Sequence, residues 1–160
     1  MVPAHSLSLF LPDDAATARL GMLLAGLTGP GDTLLLQGPV GAGKTHLARA
    51  LIQARLGHAE DVPSPSFTLV QTYTAQGTDI WHADLYRLSH PDDVLELGLD
   101  DAFETAICLI EWPDRLGRSI PENALHIALS AQGNGRRAVL SGQSRDLFLS
   151  RLASLWHGHD

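Results

Sequence analysis

The chain has 160 residues, 44% hydrophobic and 18% charged, which is typical of a soluble globular protein with a single domain over residues 1–160. Its net charge of −7 argues against a protein that binds a nucleic-acid backbone directly, because such proteins usually present a basic face. The single cysteine, Cys108, excludes an intramolecular disulfide, and its apolar neighbours predict a buried, inert thiol. We see no export signal and no apolar segment of membrane-spanning length, so we expect a cytoplasmic protein without membrane association.

The first third of the chain predicts two strands and two helices. Residues 6–11 form a short strand, and residues 14–27 form a helix that begins at Pro12-Asp13. Residues 32–37 are a nearly continuous apolar run, as in a strand buried on both faces. Residues 46–56 have helical spacing. The inward stripe of the first helix is expected to be Leu20, Leu23, Leu24 and Leu27.

The middle of the chain predicts a hairpin and a buried strand. Residues 67–74 and 78–84 are rich in β-branched and aromatic residues and can pair around a short turn. A helix start is predicted at residues 89–92 and a short helix at 99–103. Residues 106–110 then predict a second buried strand.

The last part predicts a second hairpin and a closing helix. Strands at residues 124–129 and 137–140 are joined by a turn at 132–135. Residues 144–156 form a helix with Phe148, Leu152 and Leu155 on one face. The whole pattern predicts an α/β fold: a three-layer P-loop NTPase-like domain with a mixed sheet that includes antiparallel strands.

A glycine-rich loop lies between the second strand and the second helix. Residues 38–45 read Gly-Pro-Val-Gly-Ala-Gly-Lys-Thr and match the phosphate-binding pattern G-x-x-x-x-G-K-[ST]. Lys44 is the only lysine, and its compact ammonium fits between β- and γ-phosphate oxygens better than a planar guanidinium. Backbone N–H groups of the loop and helix start converge on the phosphates in this arrangement. The predicted nucleotide-binding residues here are Gly38, Val40, Gly41, Ala42, Gly43, Lys44, Thr45 and His46.

A triphosphate site also requires a metal ion. The Thr45 hydroxyl is expected to contact Mg²⁺, with a carboxylate from the end of a neighbouring strand. Glu111 and Asp84 both meet that requirement, since Glu111 directly follows the predicted strand at residues 106–110 and Asp84 ends the predicted strand at residues 78–84. Guanine-specific switches carry an Asn/Thr-Lys-x-Asp element, which a chain without a second lysine lacks, so elimination favours ATP.

Several other residues keep two interpretations. Thr68, with Ser64 and Ser66, belongs either to a loop that senses the γ-phosphate or to a polar entry into a strand. His82 is either a packed strand histidine or a ligand. Trp112 is either a core aromatic or a gate beside the phosphates.

Five motifs in order carry a resemblance to a known family. They are residues 41–45 (GAGKT), 64–70 (SPSFTLV), 82–88 (HADLYRL), 96–98 (ELG) and 110–113 (IEWP). Over residues 6–141 the chain strongly resembles the TsaE (formerly YjeE) family of bacterial tRNA threonylcarbamoyladenosine biosynthesis ATPases. The resemblance implies a small P-loop ATPase that works with two partners, TsaB and TsaD, of which TsaD transfers the threonylcarbamoyl group to adenosine 37 of tRNA. Contact with tRNA is then only indirect.

The resemblance also implies roles for individual residues. Lys44 and the loop amides correspond to the phosphate ligands, Thr45 and Glu111 to the magnesium ligands, and Asp84 to a second acid implicated in hydrolysis. Lys44, Asp84 and Glu111 are thus the implied catalytic residues. Further implied nucleotide contacts are Thr68 in the switch segment, Trp112, the late arginine Arg136 and, in the adenine pocket, a residue near Thr17. Two rival functions remain at this point: a small-molecule kinase and a nucleotide-binding adaptor that does not hydrolyse ATP.

Overall fold

A computed structural model describes residues 6–58, 60–65, 68–88, 90 and 93–158. The strands are β1 (Ser6–Leu11), β2 (Thr33–Gln37), β3 (Val70–Ala75), β4 (Thr78–Asp84), β5 (Ile107–Glu111), β6 (Leu125–Gln132) and β7 (Gly135–Ser141). The helices are α1 (Asp14–Leu27), α2 (Lys44–Leu56), α3 (Asp93–Leu97), α4 (Leu99–Thr105) and α5 (Asp146–His157), with a 3₁₀ segment at Pro113–Ser119.

The strands form one mixed sheet in the order β1-β7-β6-β2-β5-β4-β3. Its centre is parallel, since β2 pairs in parallel with β5 and β6, and β4 pairs in parallel with β5. Both margins are antiparallel, where β7 pairs with β1 and β6, and β3 pairs with β4. Glu111 is paired with Leu36 on one side and with Asp84 on the other. The carboxyl ends of β2, β4 and β5 therefore meet at one edge of the sheet.

Alternating side chains on the central strands divide the core into two layers. Leu34 and Leu36 of β2 belong to the cluster beneath α1, α2 and α5, whereas Leu35 belongs to the cluster beneath α3, α4 and the 3₁₀ segment. This alternation follows from the two-residue repeat of a strand. Both faces of the central strands are thus covered by helices, which confirms the predicted three-layer α/β fold with antiparallel strands.

Helices α1 and α2 pack closely because of one glycine. A Cβ added to Gly21 would lie 2.7 Å from the Ala50 Cβ and 3.0 Å from the Leu47 carbonyl oxygen. Only a residue without a side chain lets the two helices approach this far. The approach brings the start of α1 beside the start of α2, where the glycine-rich loop ends.

Several predicted boundaries require correction. Strand β3 begins at Val70 rather than at residue 67, and Ser66 and Phe67 lie outside the described residues. The predicted helix start at 89–92 lies largely outside them too, and α3 begins at Asp93. Helix α2 begins at Lys44, before the predicted residue 46. The 3₁₀ segment, which starts with Pro113 in its first turn, was not predicted.

The inward face predicted for the last helix is wrong at one position. Leu155 is 45% exposed, whereas Leu149 and Leu152 are buried and Trp156 packs against the core. Spacings of three and four residues keep 149, 152 and 156 on one stripe, but a second consecutive step of three residues rotates Leu155 away from the sheet. In α1, Leu20 and Leu24 are buried while Leu23 and Leu27 are partly buried against the same cluster, as predicted.

Across the part of the chain that the structure describes, no helix has the length and apolar character that crossing a membrane requires.

Candidate functional site

A cavity of about 500 Å³ opens at the carboxyl ends of the central parallel strands, the usual place for ligands in open α/β sheets. Its lining joins the glycine-rich loop to the ends of β4 and β5 and to one residue of β7. The lining residues are Val40, Gly41, Gly43, Lys44, Thr45, His46, Ser64, Asp84, Tyr86, Arg87, Glu111, Trp112 and Arg136.

Two glycines let the loop turn tightly between β2 and α2. Gly38 has φ +145°, and a Cβ there would lie 2.5 Å from the Leu129 carbonyl oxygen of β6. Gly43 has φ +100° and is the N-cap of α2, with no side chain accepting from the helix amides. The first N–H groups of α2 therefore have no side-chain cap, which is the arrangement that binds anions at helix starts.

The Lys44 ammonium is held at the inner end of this loop. It donates a hydrogen bond to the Gly38 carbonyl and lies 3.8 Å from the centroid of the Trp112 ring. Burial lowers the pKa of Lys44, and the negative charges of Glu111, Asp84 and Asp114 act in the opposite direction. The cavity thus contains a partly desolvated cation, a group that an anionic ligand would stabilise.

Hard oxygen ligands lie next to this cation. The Thr45 hydroxyl is 3.0 and 2.9 Å from the two carboxylate oxygens of Glu111, and the His82 Nε2 is 2.8 Å from Glu111 Oε2. Asp84 lies on the neighbouring strand opposite Glu111, and its Oδ1 accepts from the Tyr86 amide at 3.0 Å. The structure thus brings together Thr45, Glu111 and Asp84, the three residues predicted as metal ligands.

Within the described ranges, no group of three or more histidine, cysteine, aspartate or glutamate side chains is arranged to hold a metal ion. One hydroxyl and two carboxylates nevertheless fit Mg²⁺, which binds through one or two carboxylates together with substrate phosphates and water. The donor set in the cavity is of this kind.

Aromatic rings form one wall of the cavity. Trp112 follows β5 directly and has φ +59°, and its ring lies 4.9 Å from the Tyr86 ring at an angle of 52°. The Arg115 guanidinium carbon lies 5.9 Å from the Tyr86 ring. The sequence allows two interpretations of Trp112 and predicts no separate role for Tyr86. Tyr86 stands two residues after Asp84, a position that brings it to the same end of the sheet.

The opposite wall comes from the antiparallel margin of the sheet. Arg136 of β7 donates to Asp14 Oδ1 at 3.0 Å and to Thr17 Oγ1 at 3.1 Å. Its guanidinium also covers Gly43, where an added Cβ would lie 3.0 Å from it. The His46 ring contacts the Asp14 carbonyl oxygen at 3.1 Å. Nothing in the sequence indicated Asp14, because its contact depends on the pairing of Leu11 with Arg136.

Three predicted residues lie away from the cavity lining. Gly38 supports the loop from inside, and the Ala42 side chain is buried in the core. Thr68 is exposed and accepts a hydrogen bond from the Gln71 side-chain amide at 3.0 Å. Ser64, from the same predicted switch segment, does line the cavity.

Together the fold and this loop define a P-loop NTPase-like α/β protein. Comparison with known families is more specific: the model for "Threonylcarbamoyl adenosine biosynthesis protein TsaE" matches residues 11–139. The chain belongs to the TsaE family, which confirms the resemblance seen in the sequence.

Individual relatives agree with this assignment. The tRNA threonylcarbamoyladenosine biosynthesis protein TsaE of Rickettsia conorii is 37% identical over 127 residues, which cover 79% of this chain and 73% of the relative. The protein of the same name from Haemophilus influenzae is 35% identical over 146 residues, covering 88% and 92%. The crystal structure of Bacillus subtilis YdiB superposes with a TM-score of 0.77 at 27% identity, over 94% of this chain and 95% of that one.

Proposed function

We propose that the protein is a Mg²⁺-dependent ATPase required for threonylcarbamoyladenosine formation in tRNA, and that it acts with TsaB and TsaD. Family membership supports the pathway. The observation that carries the enzymatic part is the arrangement of Lys44, Thr45 and Glu111 around the start of α2, with the Thr45 hydroxyl 2.9 Å from the Glu111 carboxylate. ATP is preferred over GTP because the chain has no second lysine for a guanine-specific element.

The phosphate end of the nucleotide is bound by the loop. Lys44 and the uncapped amides at the start of α2 stabilise negative charge on the β- and γ-phosphates. Thr45, Glu111 and Asp84 would hold Mg²⁺, which neutralises charge on the phosphate oxygens when bound. One of the two acids, Glu111 or Asp84, also orients the attacking water.

Stabilisation of the negative charge in the transition state is the step to which this chain contributes least. The Arg136 guanidinium is already engaged by Asp14 and Thr17, and Arg115 donates to the Leu88 carbonyl. Arg87 and Arg136 both line the cavity, and either could contribute to this stabilisation. Supplying a missing arginine raises hydrolysis by roughly 10³- to 10⁵-fold in related enzymes. We therefore expect slow hydrolysis by the protein alone and a large increase when the partner proteins bind.

The test measures phosphate release under multiple turnover, for the protein alone and with TsaB and TsaD. Lys44→Ala and Glu111→Ala should each abolish release, because one removes the phosphate cation and the other a magnesium ligand. Arg151→Ala and Glu104→Ala are matched controls, since both residues are exposed and lie outside the cavity. Their turnover should equal that of the unmodified protein.

Each outcome decides a different part of the proposal. Phosphate release that is as fast without TsaB and TsaD as with them would contradict the dependence on these partners. Near-normal turnover of Lys44→Ala or Glu111→Ala with partners would contradict the site. Nucleotide binding without any phosphate release would favour the adaptor, and ATP-dependent phosphorylation of a metabolite would favour the kinase.

A further inference from the structure

The imidazole of His82 is a polar group buried in the core. His82 lies on β4 two residues before Asp84, and none of its surface is exposed. Side chains alternate along a strand, so Ile80, His82 and Asp84 leave β4 on the same face. Ile80 belongs to the core cluster beneath α2, which identifies this face as the one toward the phosphate loop. A polar ring thus occupies a core position directly beside the cavity.

The His82 side chain makes one hydrogen bond to the residues that the structure describes. Its Nε2 is 2.8 Å from Glu111 Oε2, and a carboxylate oxygen accepts, so Nε2 is the donor. Its other ring nitrogen, Nδ1, is buried and has no hydrogen-bond partner among the described residues. Packing alone would favour an apolar side chain here, because an unpartnered polar atom in the core costs stability. The retained imidazole therefore indicates a role for its Nε2–H.

That role concerns the orientation of Glu111. The Thr45 hydroxyl is shared between both carboxylate oxygens, at 3.0 and 2.9 Å, and its single proton can point to only one of them at a time. Thr45 alone therefore leaves the rotation of the carboxylate underdetermined. His82 contacts Oε2 only, from a different element, and so distinguishes the two oxygens.

We propose that His82 is a positioning residue, whose Nε2–H holds the Glu111 carboxylate in the orientation that supports Mg²⁺–nucleotide binding. This inference rests on the proposed function of the cavity. Residues that orient metal ligands typically contribute about 10- to 100-fold to metal affinity. His82 is expected to act on the magnesium requirement and not on phosphate binding by the loop.

Two amide substitutions test the donor without removing polarity. The Gln side chain places its N–H groups near the position of Nε2, whereas the shorter Asn places them near Nδ1 and does not reach Glu111. Binding of a non-hydrolysable ATP analogue is measured by calorimetry over a series of Mg²⁺ concentrations and without metal. His82→Asn should raise the Mg²⁺ concentration at which the enhancement of analogue binding is half-maximal, by about 10- to 100-fold. His82→Gln should stay close to the unmodified protein, and metal-free binding should be unchanged in both.

Ile80→Val is the matched control, since it loosens packing on the same face of β4 without touching the hydrogen bond. It should lower the melting temperature without changing the Mg²⁺ requirement. Unchanged Mg²⁺ dependence in His82→Asn would overturn the role of His82 and leave the proposed function standing. If nucleotide binding by the unmodified protein did not depend on the Mg²⁺ concentration, the proposed function would be overturned and, with it, this inference.

A second measurement covers the case in which His82→Asn does not fold. In the metal-free protein, ¹H–¹⁵N spectra of labelled histidine should show one imidazole N–H protected from exchange, and Glu111→Ala should abolish it. The effect on Mg²⁺ is then measured in His82→Gln. If this variant needed as high a Mg²⁺ concentration for nucleotide binding as Glu111→Gln does, the proposal would be overturned. Absence of the protected N–H would do the same.

Discussion

Buried polar and charged residues are concentrated at the cavity. Lys44, His82, Asp84 and Glu111 are all at most 8% exposed, although burying such groups costs free energy unless they are paired. His82 contacts Glu111 at 2.8 Å, and Asp84 lies opposite Glu111 on the paired strand. A protein that needed only stability would fill these positions with apolar side chains. Burying these groups lowers the stability of the fold, and such groups are typical of functional sites.

Cys108 is the opposite case, a reactive residue type made inert by its surroundings. It is completely buried on β5, and burial raises the pKa of its thiol to about 12 from the ordinary 9.0. Since the thiolate is the reactive form, dithionitrobenzoate at pH 8 should leave the folded protein unmodified and label one thiol per chain after unfolding. Rapid labelling of the folded protein would contradict this environment.

The same pKa shift predicts a pH dependence of stability. A thiol that binds its proton more tightly in the folded state contributes stability below pH 9.0, and this contribution is lost as the pH rises towards about 12. Cys108→Ala removes that contribution, so its urea unfolding should depend less on pH above 9.0 than that of the unmodified protein.

At the scale of elements, helix α2 has a left-handed glycine at each end. Gly43 with φ +100° precedes its first residue, and Gly57 with φ +81° follows its last. A side chain at Gly57 would meet nothing within 4 Å, whereas one at Gly43 would meet the Arg136 guanidinium at 3.0 Å. The two ends thus share a backbone conformation and differ in their neighbours.

Alanine at these two positions separates stability from binding. Gly43→Ala and Gly57→Ala should each destabilise the protein by roughly 1–2 kcal/mol in urea unfolding, the usual cost of a left-handed conformation. Only Gly43→Ala should also weaken ATP binding in calorimetry, because it displaces Arg136 and alters the loop. Equal loss of binding in both variants would contradict a local role for Gly43.

Short-range signals predicted most elements and part of the cavity. The loop motif and the rule that ligands bind at strand ends led to Lys44, Thr45, Asp84 and Glu111, which the structure brings together. Contacts that depend on strand order were not predictable in this way. The contact of Arg136 with Asp14 requires β7 to pair with β1, and no periodicity in either segment encodes that partner. The buried face of α5 was ambiguous for a related reason. Leucines lie on two adjacent stripes of the helix, and packing against the sheet decides which stripe is buried.

For the whole molecule, the charge of −7 limits which partners it binds directly. Nucleic-acid affinity depends mainly on cationic contacts to phosphates, and this chain has 11 lysine and arginine residues against 18 acidic ones. Several of those arginines are engaged internally, such as Arg145 with Asp32 at 2.8 Å and Arg19 with the last turn of α5. Any role in tRNA modification should therefore be exerted through protein partners.

The isolated protein is expected not to bind tRNA. In about 150 mM salt, fluorescently labelled tRNA should show no complex with the protein alone at concentrations up to roughly 10 μM, within the range of ordinary non-specific affinities. The mixture with TsaB and TsaD serves as the positive control. Micromolar binding by the isolated protein would show that a basic surface has been overlooked.

The pairing of β1 with β7 has a consequence for biogenesis. Strand β1 emerges from the ribosome well before β7, the strand with which it pairs and which ends at Ser141. At roughly 5–20 residues per second, translation leaves Leu9 and Leu11 without their sheet neighbour for on the order of ten seconds. Arg136 arrives with the same late strand, so the loop of Gly43 and Lys44 is synthesised well before the guanidinium that covers it. The nascent chain therefore acquires the complete pocket only after β7 has been synthesised.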